Sequence, residues 1–189
     1  MSTKKQVSNP FDNIDRMFYP FESDEPFKNC TICDCSLFDN ETPYLIEKAI
    51  KGNDVIFEIA ICMRCAQSMH SSLSKESISK IQAFMGDKLV ANPKINLDQP
   101  ISKNISDYIA TCKITGKRID PQKEFQIYAE CVGNKMFWHN MPYALGPEAI
   151  EQMQELLSTQ TREELDNFMG EVGIPPELRE IFKSRPVLV

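Results

Sequence analysis

The sequence predicts an α+β fold of two small hairpin-plus-helix units and a helical C-terminal extension. Two pairs of strand-like runs are each joined by turn residues, each pair is followed by apolar residues at helical spacing, and a proline-bearing segment lies between the two sets.

Residues 1–26 read as an N-terminal arm, because Pro10, Pro20 and Pro26 interrupt a mixture of charge and aromatic residues. The arm is expected to lie as a strap on its own core. A docking peptide is the second reading, since Phe11, Ile14 and Phe18 share one face if Asp12 to Tyr19 is helical. Residues 27–86 form the first unit. Pro43 to Ile50 and Val55 to Ile61 are β-branched runs joined by Lys51-Gly-Asn-Asp54, whose composition suits a tight turn. A helix should follow, with Ile78, Ile81 and Met85 as its buried stripe and Gly86 as its stop. Residues 87–107 read as a linker.

Residues 108–160 repeat the plan. Glu124 to Ala129 and Lys135 to Trp138 are the expected hairpin arms, and Gly146-Pro147-Glu148 starts a helix with proline at its first position. Its stripe of Ile150, Met153 and Leu157 echoes that of the first unit, so an internal duplication is expected. In residues 161–189, Thr161-Arg-Glu-Glu164 reads as a capping box, and Gly173-Ile-Pro-Pro176 ends the helix that it opens.

A chain of 189 residues with 42% hydrophobic content can build real cores. Its net charge of −6 provides no global attraction to nucleic acid or to anionic membrane. There is no apolar run suited to a signal peptide or a membrane span, so a cytoplasmic location without membrane association is expected. In that reducing compartment, seven cysteines favour metal ligation over disulfides.

Cysteine spacing carries the strongest signal. Cys30-Thr-Ile-Cys33 and Cys62-Met-Arg-Cys65 are two Cys-x-x-Cys pairs about 28 residues apart. Each pair grips an ion through a tight turn, and together they complete the tetrahedral thiolate shell of one structural Zn2+. A knuckle, a hairpin and a second pair at the head of a helix resemble the treble-clef class of zinc fingers, and the spacing also suits a zinc ribbon. The resemblance spans about residues 30–86 and implies architecture, not activity. Cys35 is an alternative ligand, although the two-residue spacer favours Cys33. In the second unit Cys112-Lys-Ile-Thr-Gly116 aligns with the first knuckle, with Thr115 at the lost sulfur and Pro142-Tyr-Ala-Leu145 in the region matched to Cys62 to Cys65. Cys112, Cys131 and His139 remain candidates for a partial second site.

A closed shell leaves no place for substrate, so the leading expectation is a non-enzymatic module for protein–protein interaction, acting within a protein complex. The alternative is nucleic-acid or ribosome binding, through Lys113, Lys117 and Arg118. A metal-dependent nuclease of the His-Asn-His kind is suggested by Trp138-His139-Asn140. However, the only two histidines, His70 and His139, fall in different units. Neither the partner nor the oligomeric state is written in the sequence.

Overall fold

A computed structural model describes residues 9–39, 42–90, 102–138 and 141–171, together with residue 176. It is an α+β protein with a single antiparallel sheet and five helices among the described residues. The strands are β1 (Phe11–Asn13), β2 (Pro43–Lys51), β3 (Asp54–Cys62), β4 (Phe125–Val132), β5 (Lys135–Phe137) and β6 (Tyr143–Leu145). The helices are α1 (Met63–Ser72), α2 (Lys75–Val90), α3 (Ser106–Ile109), α4 (Pro147–Glu155) and α5 (Thr159–Glu171). Among them, no helix is long and apolar enough to cross a membrane.

Strand order is β1-β5-β4-β2-β3, and β6 pairs with the other end of β4. The two expected hairpins are thus joined edge to edge in one sheet, through the antiparallel pairing of β2 with β4. Gly52 and Asn53 make the first hairpin turn, where the +64° φ of Gly52 suits glycine. On one face of the sheet, Tyr128, Tyr143 and Leu145 pack against Met85, Ile150 and Met153 of the helices. Glu47 lies opposite Tyr128 in the register, and the Tyr128 hydroxyl donates to Gln126 Oε1 at 2.8 Å beside Glu47 Oε1 at 3.2 Å.

The opposite face carries Lys48, by the alternation of side chains along a strand. Here the N-terminal arm is a strap. Its β1 lengthens the sheet beside β5, and Asp15 then caps a single 3-10 turn, Arg16–Phe18, by accepting from Met17 N at 2.9 Å. Phe18 is fully buried and Ile14 nearly so, while Phe11 remains exposed. The helical face proposed for Phe11, Ile14 and Phe18 does not form, because the extended backbone of β1 pairs with the sheet.

The two halves share a set of knuckle hydrogen bonds. At the first knuckle, Cys30 N donates to Cys35 O at 2.8 Å and Asp34 N to Cys30 O at 2.9 Å. At the second, Cys112 N donates to Lys117 O and Gly116 N to Cys112 O, at the same two distances. Asp34 and Gly116 both take positive φ there, and the strain at Asp34 is held by Asn29 Nδ2 donating to its carboxylate at 2.8 Å. Thr31 N donates to Ala60 O and Lys113 N to Ala144 O, each at 2.8 Å, which makes β6 the counterpart of β3. The registration expected from the sequence is therefore corrected. Pro142 to Leu145 leads into and forms that strand, and it is Gly146 and Ala149 that stand where Cys62 and Cys65 stand in the first half.

Both halves also break their helix in the same way. Ser74 caps α2 by accepting from Ser77 N, and Ser158 caps α5 by accepting from Thr161 N, each at 3.2 Å. The capping box expected at Thr161 is displaced, since Thr161 is the third residue after the cap and not the cap itself. The two caps also cross over. Ser74 N donates to Thr161 Oγ1 at 3.1 Å, Ser158 N donates to Ser77 Oγ at 2.8 Å, and the two cap hydroxyls meet at 2.9 Å. Thr161→Val strips the part-buried Ser74 amide of its acceptor and should destabilise the protein by about 1–3 kcal/mol. A lowered urea midpoint checks this, and an unchanged midpoint contradicts it.

Helix α2 passes through Gly86 without stopping and runs to Val90. A glycine inside a helix costs about 1 kcal/mol relative to alanine, which packing of Met85 overrides. The expected linker thus begins inside a helix and ends in α3, and its residues 91–101 lie outside the described residues, as do the expected break at Gly173 and the tail.

Candidate metal centre

Strand β3 delivers the chain into α1, so that Cys62 stands at the N-cap of that helix and Cys65 in its first turn. The knuckle from Cys30 to Cys35 is tied to the same strand end by the Thr31 amide and by Ala60 N donating to Thr31 Oγ1 at 3.0 Å. These two local structures bring Cys30, Cys33, Cys62 and Cys65 together, with all four sulfurs within 4.8 Å of one another. The Cys33 and Cys62 sulfurs are 3.8 Å apart. A tetrahedral ion with metal–sulfur bonds of about 2.3 Å sets its sulfurs roughly 3.8 Å apart, so the donor set fits a single ion. A multi-iron cluster spreads its cysteines more widely.

Four thiolates around a divalent cation leave a net charge of −2, and the surroundings offset it. Arg64 donates to Cys33 Sγ at 3.7 Å and Cys62 N to Cys30 Sγ at 3.4 Å. The N-terminus of α1 adds its partial positive charge. Among the thiols themselves, the backbone amide of Cys35 and then the donors from Cys35, Arg64 and Cys65 pull Cys33 down to about 6. Cys35, hydrogen-bonded to Cys33, is pushed up to about 12. Burial pushes Cys65 up, and the neighbouring thiols Cys33 and Cys62 add to the rise. Cys30 and Cys65 are buried, Cys62 is half-buried and Cys33 is exposed, so the cluster has one open corner.

The corresponding place in the second half is a hollow of about 100 Å³ lined by Cys112, Thr115, Lys117, Gly146, Pro147 and Glu148. Lys117, the counterpart of Cys35, reaches Glu148, the counterpart of Arg64, at 2.7 Å. Cys131 is buried among the apolar residues of β4 and pushed up to about 12 by that burial. No second group of metal-binding residues exists among the described residues. His139 and Asn140 lie outside them.

Of the basic residues expected at a nucleic-acid surface, Lys117 is engaged by Glu148 and Lys113 is half-buried, its ammonium held below its usual range by that burial. Arg118 is exposed. A groove of about 470 Å³ that no local motif announces lies between the strap and the sheet, lined by Arg16, Met17, Tyr19, Pro20, Phe21 and Val55 among others. Buried Lys48 fixes one wall by donating to Tyr19 O at 2.6 Å and pairing with Glu58 at 3.1 Å. Glu58 in turn accepts from Phe21 N at 3.0 Å. Phe21 itself is 61% exposed and Met17 39%.

Comparison with known protein families, with curated proteins and with solved structures finds no match for this chain.

Proposed function

We propose that this chain is a non-enzymatic interaction module acting within a protein complex and stiffened by one structural zinc ion. Cys30, Cys33, Cys62 and Cys65 hold the ion in a treble-clef-like arrangement of knuckle, hairpin and helix. A shell of four thiolates has no open position for water or substrate, which favours a structural metal over a catalytic one. The observation that carries the interaction reading is the strap groove. Hydrogen bonds between side chains and its backbone and a partly buried ion pair tie the strap to the sheet, yet it displays Phe21 and Met17 to solvent. Large exposed apolar side chains on a fixed scaffold mark contact surfaces, and aromatic anchors dominate their binding energy.

Capture from native lysate at low salt, with and without nuclease, tests this reading against nucleic-acid binding. The paired variant Phe21→Ala with Met17→Ala should weaken capture by about 2 kcal/mol, roughly 30-fold, and nuclease should change nothing. Capture that survives the variant and disappears with nuclease supports the alternative through Lys113 and Arg118.

A further inference from the structure

We propose that Cys33 is an oxidation site for hydrogen peroxide and that Cys62 resolves it, the disulfide between them withdrawing two sulfurs from the ion. This rests on the metal reading above and deepens it with a regulation of the same site. Exposure and distance single out this pair among the four clustered cysteines. Cys33 is exposed and Cys62 half-buried, while Cys30 and Cys65 are buried, so an oxidant arriving from solvent meets Cys33 first. Arg64 donates to the Cys33 sulfur at 3.7 Å, and partly exposed, electropositive surroundings of this kind are where reactive thiolates occur. The Cys62 sulfur stands 3.8 Å from that of Cys33, so a small side-chain movement brings the two to the bond length of about 2 Å.

Pairing within either Cys-x-x-Cys turn is disfavoured by the same arrangement. Cys30 is only 1% exposed, its sulfur accepts from Cys62 N at 3.4 Å, and its amide and carbonyl are both engaged in the knuckle. Cys65 is buried in the first turn of α1. The link therefore joins two distant stretches of chain, and it keeps the knuckle tied to the start of α1 when the ion is gone.

In the first step a sulfur–oxygen bond forms at Cys33, the peroxide bond breaks, and hydroxide leaves. In the second, the Cys62 sulfur attacks the sulfenic sulfur of Cys33, a sulfur–sulfur bond forms, and the sulfenic oxygen leaves as hydroxide. Two electrons pass from the sulfurs to the peroxide, and both hydroxides take protons from solvent to become water. Cys30 and Cys65 each take up a proton as well, since two sulfurs do not complete the tetrahedral shell that holds the ion.

The test uses the unmutated full chain, loaded with zinc and treated with hydrogen peroxide in stepped amounts. Released zinc is read with a chromogenic chelator, sulfenic acid by dimedone labelling, and cysteine links by peptide mass mapping after alkylation. Dimedone is expected on Cys33, followed by a Cys33–Cys62 link with one zinc released per link. Cys112 and Cys131, both buried, should remain free thiols, and a thiol reductant should restore zinc binding. Links within either Cys-x-x-Cys pair, a Cys33–Cys35 link, dimedone on another ligand ahead of Cys33, or zinc retained in excess peroxide overturns the proposal. Zinc content measured before peroxide separates the two readings. A chain that binds no ion overturns the metal reading and the proposal with it, whereas a loaded chain that gives another map overturns the oxidation site alone.

Discussion

Cys65→Ser is expected to release the metal and to lower the melting temperature by more than about 10 °C. The ligand is buried in the first turn of α1. Apparent binding energies of structural zinc are about 10–16 kcal/mol, comparable with the whole stability of a domain at about 5–15 kcal/mol. Losing even a third of that exceeds 3 kcal/mol. About 1 kcal/mol moves the melting temperature of a chain this size by roughly 2–4 °C. Loss of the ion also leaves Cys30 and Cys62 as a crowded group of thiols beneath the end of β3. Cys112→Ser is the control: it is also buried, at the equivalent knuckle, but lies outside the four-cysteine group, so metal content should be unchanged and the stability loss confined to about 1–2 kcal/mol. Calorimetry with metal analysis on both variants decides the matter, and equal behaviour of the two contradicts the account.

Phe18→Ala should cost about 3–5 kcal/mol, the range for deleting a buried aromatic side chain. Phe18 is fully buried and is the anchor by which the strap is held on the sheet. Without it, the Tyr19 carbonyl no longer stays over Lys48, whose side chain is only 4% exposed. A buried ammonium deprived of an acceptor adds its own penalty. Phe21→Ala, three residues on and largely in solvent, should change stability by less than about 0.5 kcal/mol. Urea unfolding of the two variants separates anchor from display. Similar losses for both mean that the strap does not divide these roles.

What the sequence made legible was local. Cysteine pairs announce themselves because each pair acts within one turn, and the hairpin turn at Gly52 is spelled by its own residues. The helix start at Pro147 was legible for the same reason. Contacts between distant stretches were not. Nothing in β2 or β4 names the other as partner, because both are buried on both faces for much of their length and lose the alternation that marks a sheet edge. The arm lies as the expected strap, and its alternative helical reading fails since Phe11, Ile14 and Phe18 satisfy a helical spacing that the pairing of β1 with β5 overrides. Ser74-Lys-Glu-Ser77 and Ser158-Thr-Gln-Thr161 carried a readable signal for the helix breaks, each a hydroxyl cap followed three residues later by another hydroxyl. Their crossing, in which each cap uses the other half's hydroxyl, belongs to the tertiary structure alone.

The repeat shows why one half gathers four cysteines and the other does not. Gly146 replaces Cys62, Ala149 replaces Cys65 and Thr115 replaces Cys33, while the knuckle hydrogen bonds persist. The second knuckle is held instead by the apolar residues around Cys112 and Ile114, with Lys117 and Glu148 paired at the surface. An exposed ion pair of that kind contributes at most about 1 kcal/mol. Packing therefore carries in the second half the load that we assign to metal binding in the first.

The most direct test of the central claim is elemental analysis of the natively purified chain, paired with its melting curve before and after a strong chelator. The account predicts one zinc per chain and a large fall in melting temperature on removal. Protein without stoichiometric metal whose melting is indifferent to the chelator contradicts it.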